Sequence, residues 1–245
     1  MAYLLVDNSN SRTKFALGHA DRLTVWRDVV PTAEISHETL SRVVEGLTYS
    51  GTIICSVVPE KAAVMKAFFE PRGPLHFLNH ESPFGMAVDY PNPEQIGADR
   101  FANAAGIVAR HHAPAIVIDF GTAVTFDVIS AEPAYCGGVI APGLGAMSGY
   151  LTKRTALLPQ IELEEPTTAI GKSTVQAMQA GAVYGYRGMV REIIREIQKE
   201  LPGKARIVAT GGDAALIAQG LPEIELVDPN ITLDGLRFVA RRVFG

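Results

Sequence analysis

Cysteine is scarce in this chain of 245 residues. Cys55 and Cys136 form no CxxC pair, and both read as reduced, buried thiols. An excess of positive charge is also missing. Lys and Arg number 22 against 26 Asp and Glu, for a net charge of −4, so nothing draws the chain to a nucleic-acid backbone. No apolar run approaches the roughly 20 residues that a membrane span needs. The start, Met-Ala-Tyr-Leu-Leu-Val-Asp7, lacks a basic segment and soon reaches a carboxylate. No signal peptide and a cytoplasmic location are therefore expected. None of the six histidines sits in an HExxH arrangement, and His111-His112 reads as a helix end rather than a metal site. Low-complexity segments are absent. What is present, 47% hydrophobic and 20% charged residues, suits a well-cored globular protein.

The chain is organised around Ile116-Val-Ile-Asp-Phe-Gly-Thr-Ala-Val-Thr-Phe-Asp-Val-Ile129. An apolar β-branched run ends at Asp119, Gly121-Thr122 make a tight turn, and strand-like composition resumes. This predicts a hairpin with a polar tip, suited to phosphate or, more plainly, to a turn capped by its Asp. Leu4 to Leu17 has the same layout. A shift of 119 − 7 = 112 positions brings Asp7 onto Asp119, Ser9 onto Gly121, Asn10 onto Thr122 and Thr13 onto Thr125. Two like hairpins half a chain apart imply two copies of one domain facing each other across a cleft.

Elsewhere strands and helices alternate, which predicts an α/β class with mixed sheets. Helices are expected from Ser36 to Gly46, Glu60 to Glu70, Asp99 to Arg110, Gly149 to Thr155, Thr174 to Leu201, Ala214 to Gln219 and Asp234 to Val243. Met189, Val190, Ile193, Ile194 and Ile197 form the apolar face of the longest one. Ser82–Gly97 and Ile161–Gly171 read as loops. The expected domain boundary follows Ala113, giving domains 1–113 and 114–245.

Three further motifs carry chemistry. Gly171-Lys-Ser-Thr174 resembles the end of a P-loop, but Pro166 stands where the first glycine is needed, so that reading fails. Thr210-Gly-Gly-Asp213 follows an apolar strand, where glycines let a nucleoside lie on the backbone or Asp213 simply caps a helix. Gly97-Ala98-Asp99-Arg100 sets an acid beside an arginine at a helix start. Arg offers a planar fork for carboxylate or phosphate, and Asp can position a hydroxyl nucleophile. A capping Asp beside a surface Arg is the simpler alternative. Lys14 shares a strand face with Arg12 and gives a basic patch there.

Together, Asp7–Lys14, Gly97–Arg100, Asp119–Asp127, Gly137-Gly-Val-Ile-Ala-Pro-Gly143 and Thr210–Asp213 resemble, in order, the motifs of the type III pantothenate kinases. That family belongs to the acetate and sugar kinase/Hsp70/actin superfamily. The resemblance spans essentially the whole chain. It implies two ribonuclease H-like domains around a nucleotide cleft, and a homodimer that phosphorylates pantothenate with ATP at the first step toward coenzyme A. Mg2+ or another divalent cation would accompany ATP, and K+ or NH4+ would be required.

By the same resemblance, Asp7, Asn8, Ser9, Asn10, Ser11, Arg12, Thr13 and Lys14 form the phosphate loop, and Thr122 contacts ATP. Asp99 is the base. Tyr90, Gly97, Ala98, Asp99, Arg100 and Thr174 hold pantothenate, and Asp119 binds the monovalent cation. One departure is Ser9, where the family pattern has glycine. A Cβ there is expected to crowd the phosphate or change the turn. A related kinase acting on another small hydroxylated acceptor, and a nucleotide-binding regulator without activity, are the alternatives.

Overall fold

A computed structural model describes residues 1–245, apart from the side chain of Ser148. The elements run β1 (Tyr3–Asn8), β2 (Arg12–Gly18), β3 (Leu23–Pro31), α1 (His37–Val44), β4 (Thr52–Ser56), α2 (Pro59–Phe69), β5 (Leu75–Phe77), β6 (Ala87–Val88) and α3 (Ala98–Arg110). Then follow β7 (Ala115–Phe120), β8 (Ala123–Ile129), β9 (Ala134–Pro142), α4 (Leu144–Arg154), α5 (Thr174–Glu200), β10 (Arg206–Gly211), α6 (Ala214–Ala218), β11 (Leu226–Val227) and α7 (Ile231–Phe244).

The chain forms two compact units. One contains Met1–Ala113, Glu132–Cys136 and Asn230–Gly245, and the other Pro114–Ala131 and Gly137–Pro229. The first unit holds a sheet in the order β3-β2-β1-β4-β5. The other sheet runs β11-β10-β7-β8-β9-β6, and its first five strands repeat that topology read from the other edge. The repeat seen in the two hairpins therefore extends to whole sheets. In each, a hairpin feeds a parallel strand: β1 pairs antiparallel with β2 and parallel with β4, and β7 does the same with β8 and β10. Such sheets are mixed and need helices on their faces, hence the unbroken burial of β1.

The first core gathers Leu4, Val6, Phe15, Ile54, Met65 and Phe68, and the second Ile116, Ile118, Phe126, Tyr186, Val190 and Ile194. Met189, Ile193 and Ile197 of α5 pack against the second core, as their spacing predicts.

Helix α7 belongs to the first unit, although a single cut after Ala113 assigns it to the second. Its partner is α3, and two glycines let the helices meet backbone to backbone. A Cβ on Gly106 would lie 2.2 Å from Ile231 O, and one on Gly235 would lie 1.8 Å from Ala102 O. Thr232 Oγ1 donates to Asn103 Oδ1 at 2.7 Å inside this contact.

Three other expectations change. The hairpins differ by one residue in their loops: Asn8 pairs with Thr13, whereas Phe120 pairs with Val124. The partner of Asp7 is Lys14 and that of Asp119 is Thr125, an offset of 125 − 14 = 111 rather than 112. Thr13 thus corresponds to Val124 and not to Thr125. Helix α4 starts at Leu144, five residues before Gly149, because isolated glycines weaken a helix by only about 1 kcal/mol each and do not end it. Cys136 is exposed, while Cys55 is buried as expected.

Candidate active site

The tip of the first hairpin is built around a buried carboxylate. Asp7, next to last in β1, is 2% exposed. Its Oδ1 accepts from Ser9 Oγ at 3.0 Å, and its Oδ2 accepts from Lys14 Nζ at 3.2 Å. The cross-strand register places Lys14 directly opposite Asp7, so this pair follows from hairpin geometry. Ser9 does not distort the turn, since no non-glycine residue has a positive φ among the described residues. Its hydroxyl instead becomes a ligand of the Asp7 carboxylate. Val57 N, just past β4, donates to Asn8 O at 3.1 Å.

Val57 also borders the second cluster. Helix α3 begins at Gly97, whose φ of −57° and ψ of 139° any residue can adopt. What glycine gives there is space for the Asp99 carboxylate. A Cβ would lie 2.5 Å from Asp99 Oδ1 and 3.8 Å from Val57 Cγ1. Asp99 Oδ1 accepts from Arg100 N at 2.9 Å. The carboxylate therefore sits in the first helical turn, where the macrodipole favours an anion.

The Arg100 guanidinium carbon lies 5.8 Å from the centre of the Tyr135 ring. Tyr90 meets the same ring edge to face at 6.4 Å, and Phe101 meets it at 5.6 Å. The first unit thus brings Tyr90, Gly97, Ala98, Asp99 and Arg100 into one neighbourhood. Tyr135 is the member that sequence reasoning missed. Its only signal was an aromatic residue just ahead of Cys136-Gly-Gly in a strand.

In the second unit, Asp119 stands in register with Thr125 on β8 and Thr210 on β10. Register partners project from the same sheet face. A carboxylate and two hydroxyls therefore form a row where the first hairpin sets an ammonium opposite its Asp. Thr122 lies in the two-residue turn, and its carbonyl accepts from Gly143 N at 3.1 Å.

Gly211 has φ of +96°, and a Cβ there would lie 2.5 Å from Phe120 O, so its own strand requires glycine. A Cβ on Gly212 would meet nothing within 4 Å, which leaves that backbone open to a ligand. Asp213 starts α6 without capping it through its side chain. Burial raises its carboxyl above the usual carboxylate range.

Thr174 is the first residue of α5. Ser173 caps the helix by accepting from Gln176 N at 3.2 Å, and Gln176 Oε1 accepts from Lys172 N at 2.8 Å. This reciprocal pair, in which Gln176 reaches the amide just before the N-cap, accounts for Lys172-Ser173 without any phosphate. Thr174 lines a mostly apolar cavity of 470 Å³ with Met147, Leu151, Leu158 and Met178. Among the described residues, no cluster of three or more His, Cys, Asp or Glu suits a metal ion, and no helix is long and apolar enough to cross a membrane.

The fold is similar to solved structures of the actin, Hsp70 and sugar-kinase type. An activator of 2-hydroxyisocaproyl-CoA dehydratase from Clostridium difficile, with bound ADPNP, superposes with a TM-score of 0.58 at 10% identity, covering 100% of this chain and 94% of that one. The component A of (R)-2-hydroxyglutaryl-CoA dehydratase from Acidaminococcus fermentans gives 0.55 at 12% identity, over 100% and 98% of the two chains. These likenesses speak for the fold.

Sequence relatives are much nearer. A type III pantothenate kinase of Akkermansia muciniphila is 54% identical over 240 residues, 98% of each chain. One of Methylacidiphilum infernorum is 43% identical over 240 residues, 96% of this chain and 87% of its own. The family model for type III pantothenate kinase matches residues 3–196, a span that takes in both hairpin tips, the start of α3 and Thr174. With the motifs at these positions and relatives of this identity, the chain belongs to the type III pantothenate kinase family.

Proposed function

We propose that this chain transfers the γ-phosphoryl group of ATP to the primary hydroxyl of pantothenate, giving 4'-phosphopantothenate at the first step toward coenzyme A. The observation that carries the reading is the start of α3. There Gly97 makes room for the Asp99 carboxylate, and Arg100 stands beside it against Tyr135.

Asp99 accepts a hydrogen bond from the acceptor hydroxyl and takes its proton as the new P–O bond forms. Arg100 binds the pantothenate carboxylate, and Tyr90 and Thr174 contact the rest of the molecule. The loop of Asp7, Asn8, Ser9, Asn10, Ser11, Arg12, Thr13 and Lys14 holds the phosphates, with the buried side chains of Asn8 and Thr13 bracing it from within and Thr122 as a further ATP contact. The work of these residues is positioning and charge neutralisation.

The residues fit the implied cations. Asp7, with both oxygens already in polar contacts, would hold Mg2+ through water. Asp119, with Thr125 and Thr210 in register, offers the oxygen donors that K+ or NH4+ takes. These cations would offset phosphate charge.

We also expect a cytoplasmic homodimer. Met147, Tyr150 and Leu151 of α4 and Val175 and Tyr184 of α5 are exposed, and a second copy would cover such a surface. Light scattering on the purified protein tests that state. The reaction is tested by ATP turnover with and without pantothenate, against a panel of other hydroxylated acceptors. Turnover that depends on pantothenate is expected. Equal turnover without it, or a preference for another acceptor, would refute the assignment.

A further inference from the structure

Beneath the first hairpin runs a chain of buried hydrogen bonds whose direction is fixed. Thr32, at 3% exposure, opens the 3-10 turn after β3. Its Oγ1 donates to Ser9 O at 2.6 Å. Its single proton being committed, Thr13 Oγ1 donates to it at 3.0 Å. Asn8 Nδ2 then donates to Thr13 Oγ1 at 2.8 Å, and Ser56 Oγ donates to Asn8 Oδ1 at 2.6 Å. Thr32 makes a second contact with the same turn, since its backbone N donates to Ser11 O at 3.1 Å.

We propose that Thr32 is a positioning residue for nucleotide binding: its two donors draw the carbonyls of Ser9 and Ser11 inward and so turn the amides of Asn10 and Arg12 toward the phosphates. In a trans peptide the C=O and the following N–H point in opposite directions. Fixing Ser9 O and Ser11 O therefore fixes Asn10 N–H and Arg12 N–H. Amides aimed to one side form an anion-binding concavity. Thr32 lies outside the Asp7–Lys14 motif. The inference rests on Asp7–Lys14 being the phosphate loop.

The test is the Michaelis constants for ATP and pantothenate in Thr32→Val, Thr32→Ser, Ser56→Ala and Lys14→Ala. Loss of one loop-orienting hydrogen bond in Thr32→Val should raise the ATP constant roughly three- to tenfold and leave that for pantothenate within about twofold. Thr32→Ser keeps the hydroxyl and should restore the ATP constant. Ser56→Ala removes the far end of the same chain and should change it little.

An unchanged ATP constant in Thr32→Val, or equal rises in Thr32→Val and Ser56→Ala, would overturn the proposal. Lys14→Ala separates the two levels. If it raises the ATP constant and Thr32→Val does not, Thr32 alone is misassigned. If it leaves the ATP constant unchanged, the phosphate-loop reading fails and the role of Thr32 with it. Amide hydrogen exchange on the unmodified protein needs no variant. ATP with Mg2+ should slow exchange at Asn10 and Arg12, and unchanged rates at both would overturn the orientation.

Discussion

Gly97→Ala adds one methyl group at the start of α3 and should separate stability from catalysis. The new Cβ would lie 2.5 Å from Asp99 Oδ1, where ordinary contact begins at 3.4 Å. The carboxylate must therefore withdraw by about 1 Å, and a displacement of that size costs on the order of 10²-fold in turnover. The backbone does not resist, because φ of −57° and ψ of 139° suit alanine. Alanine caps a helix less well than glycine, by a few tenths of a kcal/mol or more. It also lowers the entropy of the unfolded chain, a gain of about 0.4–1 kcal/mol. These effects nearly cancel, so the melting temperature should move by only a few degrees. Steady-state rates and thermal melts on the same sample decide the matter. Turnover at the level of the unmodified protein would refute the reasoning, since it would mean that Asp99 can move without consequence.

Other outcomes follow from the same geometry. Arg100→Ala should raise the Michaelis constant for pantothenate roughly tenfold, the worth of one charge-assisted hydrogen bond. A change in the ATP constant alone would move Arg100 to the nucleotide side. Activity should require K+ or NH4+ and fail in Na+ alone, because the register partner of Asp119 is a threonine and not a lysine; equal rates in the two buffers would remove the cation from Asp119. Arg187→Met should cost about 2–4 kcal/mol in a denaturant titration. That buried guanidinium grips Glu165 at 2.8 and 2.5 Å and caps the end of α6 through Leu216 O and Ile217 O at 2.6 and 3.1 Å. A loss under 1 kcal/mol would show that the loop carrying Glu165 is not held there.

Local pattern made much of this legible in the sequence. Alternation and β-branching in Leu4–Leu17 and Ile116–Ile129 specify hairpins, and each delivers an Asp to the end of its first strand. The arithmetic shift failed on the second strands because it assumed equal loops, and one residue in a loop changes which side chains face each other. Lys14 opposite Asp7 and Thr125 opposite Asp119 are visible only once the register is known. The return of α7 to the first unit depends on Gly106 and Gly235 meeting backbones far away in sequence. Tyr135 and Thr32 escaped notice for a related reason. Each meets neighbours distant in the chain, and neither lies within a motif.

The central claim is that Asp99 is the base in phosphoryl transfer to pantothenate, and Asp99→Asn tests it most directly. The amide keeps the shape of the carboxylate and removes its charge. Calorimetric binding of pantothenate and the turnover number, measured on one preparation, should show affinity within a few fold and turnover lowered by roughly 10²–10⁴. Near-normal turnover in Asp99→Asn would contradict the account and reduce Asp99 to a helix-terminal carboxylate.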